Sequence, residues 1–308
     1  MRIKIIILVL ALLSPAILKV NYSHAGLNVV TTTSDLASIA KEVGGSLIKV
    51  HPLIKGYQDP HHIQAKPSYM VKMNRADLLI YQGMELEIGW LPTLIQGARN
   101  PDISWGQPGN LDASIGVAKL EVPVGEIDRS MGDIHPEGNP HFHLDPENGF
   151  IIALSIFNKL SELDPENISN YKSNLDRFNK KLKEKINQWK EQMRDYVGIK
   201  LVTYHKLWSY FFKRFDLSIL DTIEAKPGVP PSAKHLARLT KQMQRQKIRL
   251  IVQATYYSSE FSGLVAKRTG GVVLTLPAFV GGTPEAKDYF SLFDTIIKKI
   301  IKVIPLTR

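Results

Sequence analysis

The chain has 308 residues, no cysteine, and 39 Lys and Arg against 29 Asp and Glu, a formal charge of +10. The missing thiols exclude disulfides, thiolate nucleophiles and thiolate metal sites, so any metal must sit on nitrogen and oxygen. Much of the positive charge lies on two amphipathic stretches, Lys180 to Lys190 and Lys298 to Lys302, without the interleaved aromatics of a nucleic-acid surface, and no nucleic-acid partner is expected.

In chain order, Met1, Arg2 and Lys4 precede an apolar run from Ile5 to Leu18, and Ser23-His24-Ala25 precedes Gly26. That is the layout of a secretory signal peptide over 1–25, cleaved after Ala25; the run is broken by Ser14 and Pro15 and is shorter than the roughly 20 residues of a spanning helix. Without a lipid-accepting cysteine, the expected product is a soluble periplasmic protein of about 283 residues and charge about +7.

Beyond it, short β-branched runs alternate with amphipathic stretches: Leu27 to Thr33, a helix from Ser34 to Val43, Ile48 to Ile54, then Ala76 to Gln82 after a further helical segment. The habit returns with Gly198 to Tyr204, Leu217 to Ile223, Ile248 to Gln253 and Val272 to Leu276. Strands alternating with helices make parallel βαβ units, so the expected class is α/β, with one lobe over 26–163 and a second over 198–308. Residues 100 to 139, rich in Gly, Pro, Asp and Ser, are read as mostly surface loop.

Between the lobes, Asp164-Pro165-Glu166 is an N-cap, first-position proline and acidic first turn. Ile168, Tyr171, Leu175, Phe178, Leu182, Ile186, Trp189, Met193 and Val197 follow at spacings of three or four, and Gly198 stops the run. The pattern predicts a linking helix over 164–197, a strut of roughly 50 Å. Asp145-Pro146-Glu147 is a second helical start, leading into Ile151 to Leu160.

The chemistry is concentrated in histidine. One loop-like cluster is Gln58-Asp59-Pro60-His61-His62, and a second runs from Gly132 through His135, His141 and His143 to Asp145. Both lie where a strand or loop hands over to a helix, the usual place for ligand sites in open α/β sheets. His205, at the end of an apolar strand, is the third candidate partner for a metal held on imidazole.

Three stretches carry a resemblance: Asp59-Pro60-His61, then Asn139-Pro140-His141-Phe142-His143-Leu144-Asp145-Pro146, then His205-Lys206-Leu207-Trp208-Ser209-Tyr210-Phe211, supported by Pro227-Gly228-Val229-Pro230-Pro231-Ser232. In this order they resemble the solute-binding receptors of bacterial zinc and manganese ABC importers, the zinc-uptake ZnuA/TroA-like group, cluster A-I. The resemblance implies two Rossmann-like lobes on a rigid linking helix and a metal in the cleft between them. It further implies a monomeric, non-enzymatic receptor that hands its ion to a membrane permease. Carried over residue by residue, the ligands are His61, His141 and His205, and histidine at the third position leans toward Zn2+, with Mn2+ or iron as the alternative.

The family's fourth ligand is an acid near the C-terminal strand, where this chain has Pro277. The fourth position then falls to water, to Glu224, to His143 (which stands where the family more often has tryptophan) or to an acid between Gly281 and Asp288. His135, with Asp133 and Glu137, is what the resemblance leaves of the family's histidine-rich loop; the reading taken is ordinary solvated chain, the alternative a short acidic loop that hands metal inward. Three histidines with an open position also describe a secreted zinc hydrolase, the reading from another class.

Overall fold

The computed structural model describes residues 26–125, 128 and 131–307; the expected signal peptide lies outside them. The first half supplies β1 (Leu27–Thr31), α1 (Ser34–Gly44), β2 (Ile48–Pro52), α2 (Pro67–Asn74), β3 (Leu78–Tyr81), α3 (Leu91–Ala98) and β4 (Asn110–Asp112). Its four strands pair in parallel in the order β2-β1-β3-β4. The short strand β4 falls inside the stretch expected to be loop. It carries one buried apolar residue, Leu111, and earns its place by pairing Asn110 to Leu79 rather than by any alternation of its own.

After α4 (Asn148–Leu163) and α5 (Ile168–Met193) the pattern repeats with β5 (Lys200–Thr203), α6 (Ser209–Arg214), β6 (Ser218–Thr222), α7 (Ala233–Arg245), β7 (Leu250–Ala254), α8 (Glu260–Thr269), β8 (Val272–Leu276) and α9 (Tyr289–Val303). The second sheet, β6-β5-β7-β8, is also parallel and has the same strand order as the first. In both sheets the chain reverses its direction of travel beside the first strand, which leaves a crevice at the carboxyl ends of the strands.

The long helix is real but shorter than its apolar pattern suggests. Pro165–Asn167 and Arg194–Tyr196 are single 3-10 turns, so the 26 α-helical residues between them span about 39 Å. Ile168 and Val197, at the ends of the pattern, are exposed, whereas Tyr171, Leu175, Phe178, Leu182, Ile186, Trp189 and Met193 are buried. Asp164 does not cap the backbone; its carboxylate accepts from Asn167 Nδ2 and from the Tyr171 hydroxyl.

The buried face of α5 packs on α1 and α4 of the first lobe and on α9 of the second, and one apolar core runs without a break from Val29 to Ile304. Polar ties reinforce it. Arg214 grips Asp145 through two 2.7 Å hydrogen bonds and reaches Glu147 at 3.0 Å. The segment after β8 lies on the first lobe, with Val280 N–H donating to Asp35 (3.1 Å) and Ser34 donating to the Val280 carbonyl (2.6 Å). The lobes are therefore halves of one packed body.

Candidate metal centre

Each of the three expected ligands sits on a loop leaving the carboxyl end of a strand. The Asp59-Pro60-His61 turn follows β2 and is pinned from below by buried Trp90, whose indole N–H donates to the Pro60 carbonyl (2.8 Å). His141 follows the long loop after β4, and His205 comes two residues after β5, where Tyr204 N–H still extends the ladder to Val252. Side chains from both lobes thus meet at one point. One ligand atom from each of His61, His141 and His205 lies within 4.8 Å of the others, the only such group of His, Cys, Asp or Glu among the described residues.

The second nitrogen of each ring is already committed. His61 Nδ1 lies 2.7 Å from Asp59 Oδ1, His141 Nδ1 lies 2.8 Å from Asn139 Oδ1, and His205 Nδ1 lies 3.0 Å from Glu224 Oε2. An acceptor on Nδ1 fixes the proton there and leaves the Nε2 lone pair facing the cleft, which is how metal-binding imidazoles are held. Nε2 of His61 and of His141 is buried with no hydrogen-bond partner. In an ordinary interior such orphaned atoms cost on the order of 1–3 kcal/mol each.

The electrostatics keep the His141 ring in the neutral state that binds metal. Burial, then the neighbouring His61, His205, His143 and His135, hold His141 well below the usual imidazole range. Burial raises Asp59, but its hydrogen bond and charge interaction with His61 outweigh this and hold it below the usual carboxylate range.

The structure separates the other candidates. Glu224 reaches His205 and the Gly228 N–H (3.3 Å), so it orients a ring. His143 is wholly buried, and both its nitrogens are engaged: Nδ1 faces Gln82 Nε2 at 3.0 Å, and Nε2 faces the Ala278 carbonyl at 3.1 Å. Its ring stacks on Phe279 at 4.6 Å. This is a lobe-to-lobe strut with no lone pair to spare. Pro277 is buried, Glu285 is exposed, and Asp288 caps α9 through Ser291 N–H, so none of the three brings an oxygen to the trio.

One residue expected in solvated loop is not there. The His135 ring centroid lies 5.4 Å from that of His61, matching the 5.2, 5.5 and 5.6 Å spacings within the trio, and its Nε2 is also buried and unpartnered. Burial, then His61 and His205, push its value down to about 3. Its signal in the sequence was membership of the second histidine cluster, six residues before His141. His62 is exposed, 3.5 Å from Asp133, and His235 is spent on the Thr222 carbonyl and Arg238.

Two parallel sheets facing a shared cleft, with imidazoles from both closing on one point, define a two-lobed receptor for a small ligand. The family described as ZnuA, zinc-uptake complex component A periplasmic, matches residues 29–303, and the chain belongs to it. The chain is 31% identical over 233 residues to the metal ABC transporter substrate-binding lipoprotein ScbA of Streptococcus cristatus, covering 72% of this chain and 70% of that one. It is 29% identical to the manganese ABC transporter substrate-binding lipoprotein PsaA of Streptococcus pneumoniae, again over 72% and 70%. A crystal structure of ZnuA matches with a TM-score of 0.75 at 23% identity, covering 90% of this chain and 99% of that one. A manganese-bound mutant of the periplasmic metal binding protein from Candidatus Liberibacter asiaticus matches at 0.72 and 22%, over 90% and 98%.

Proposed function

We propose that the protein captures Zn2+ in the periplasm through His61, His141 and His205 and delivers it to the membrane permease of an ABC importer. The observation that carries this reading is the convergence of three imidazoles within 4.8 Å, each with its other nitrogen held by an oxygen acceptor. Zinc bonds imidazole at about 2.0–2.1 Å, which sets tetrahedral nitrogens about 3.4 Å apart, so loading draws the rings together by at most about 1.4 Å. The packed body need not move for that.

Several relatives are named for manganese. Manganese favours oxygen ligands; the resemblance sets Pro277 at the family's C-terminal acid position, and Glu224 Oε2 is tied to His205. The donor set therefore favours zinc. Binding is the function this reading assigns, with Glu224 Oε2 engaged in holding the His205 ring.

The test is metal content by mass spectrometry with zinc and manganese titrations on the protein and on His61→Ala, His141→Ala and His205→Ala. One zinc per chain, held more tightly than manganese and lost in all three variants, is the expected result. Normal zinc binding in the variants overturns the reading.

A further inference from the structure

We infer that His135 is the fourth metal ligand, carried to the ion by the loop after β4 in place of the carboxylate expected after β8. The inference rests on reading His61, His141 and His205 as the metal site. Four observations carry it.

The first is position: the His135 ring stands as far from His61 as the trio's rings stand from one another. The second is a free lone pair. His61, His135 and His141 are the described histidines whose Nε2 is buried without a partner, while the structural histidines His143 and His235 use both nitrogens.

The third is how the ring is held. The backbone of Met84 and Glu85 faces the His135 ring. Met84 and Glu85 have φ of 50° and 61°, in the left-handed region that costs a side-chain-bearing residue roughly 1–2 kcal/mol. Strain of that kind at two successive residues persists where the local arrangement is needed.

The fourth is the anchoring of the loop on the opposite lobe. Asp133 N–H donates to the Pro227 carbonyl at 2.9 Å. That approach requires Gly132, at φ 84°, because a Cβ there would sit 2.2 Å from the Pro227 oxygen. The loop that carries His135 is thus tied to the second lobe two residues away from it.

His135 stands outside the group of donor atoms within 4.8 Å, so ligation by it requires the loop to move inward on loading. Four imidazoles make an all-nitrogen site, which suits zinc and disfavours oxygen-seeking manganese. The fourth ligand would therefore also set selectivity.

X-ray absorption at the zinc edge of the loaded protein counts imidazoles directly, and four are expected. His135→Ala should give three plus a light oxygen ligand. It should also weaken zinc by more than the roughly 10–100-fold that losing a supporting group costs, and narrow the zinc-over-manganese preference. His62→Ala, at an exposed neighbour, should keep four imidazoles and full affinity. Three imidazoles in the unaltered protein, or unchanged zinc affinity in His135→Ala, overturns the inference while the proposed site stands, provided His61→Ala, His141→Ala and His205→Ala lose zinc. If those three bind normally, the site reading itself fails.

Discussion

Replacing His143 with phenylalanine separates a strut from a ligand. Phenylalanine keeps the ring volume and the stack on Phe279, but removes both nitrogens. A Gln82 amide hydrogen and the Ala278 carbonyl are then left buried without their partner. Each such group costs on the order of 1–3 kcal/mol, so His143→Phe should destabilise the metal-free protein by about 2–6 kcal/mol. The loss falls on the joint between lobes, because Gln82 belongs to the first and Ala278 to the second. Urea unfolding followed by tryptophan fluorescence at neutral pH measures it. Zinc stoichiometry and imidazole count should be unchanged in the same variant. A stability change under about 1 kcal/mol, or the loss of one imidazole from the zinc, would refute the reasoning.

Two further outcomes follow from groups beside the site. Burial pushes the Asp35 carboxyl up to about 7, against the opposing hydrogen bond from Val280 N–H. An acid raised in the folded state holds more protons folded than unfolded between about 4 and 7, so stability falls as pH rises through that window, by about 4 kcal/mol in all. Asp35→Asn, which cannot ionise, should remove that decline in metal-free unfolding free energies taken at pH 4 and pH 8; an unchanged slope would count against it. Asn139 holds His141 through both its backbone N–H and its Nδ1, and ties the loop to the Lys206 carbonyl of the other lobe. Asn139→Ala should leave one zinc per chain but weaken its binding roughly 10–100-fold by calorimetric titration, through the freed tautomer of His141.

The α/β class, the paired lobes and the long helix were legible because their signals are periodic and local. Tyr171 to Met193 form one buried stripe, and the strands β1, β5, β7 and β8 each lie within an apolar run. β4 was not legible: three residues with one apolar side chain carry no period, and it exists as a strand because β3 offers it an edge. Likewise, Asp145-Pro146-Glu147 reads as a helix cap, yet the structure spends the Asp145 carboxylate mainly on Arg214, 69 residues away.

For the histidines the sequence reaches a definite limit. A histidine's role here is decided by its second nitrogen, and that partner is seldom a near neighbour. His61 and His141 are readable because Asp59 and Asn139, two residues upstream, take their Nδ1. His205 depends on Glu224, 19 residues on, and His143 on Gln82 and Ala278, 61 and 135 residues away. His143 is the more conspicuous in its motif, and His135 reads as one more loop residue. Folding separates them, because long-range partners use up both nitrogens of His143, whereas Nε2 of His135 is buried without a partner.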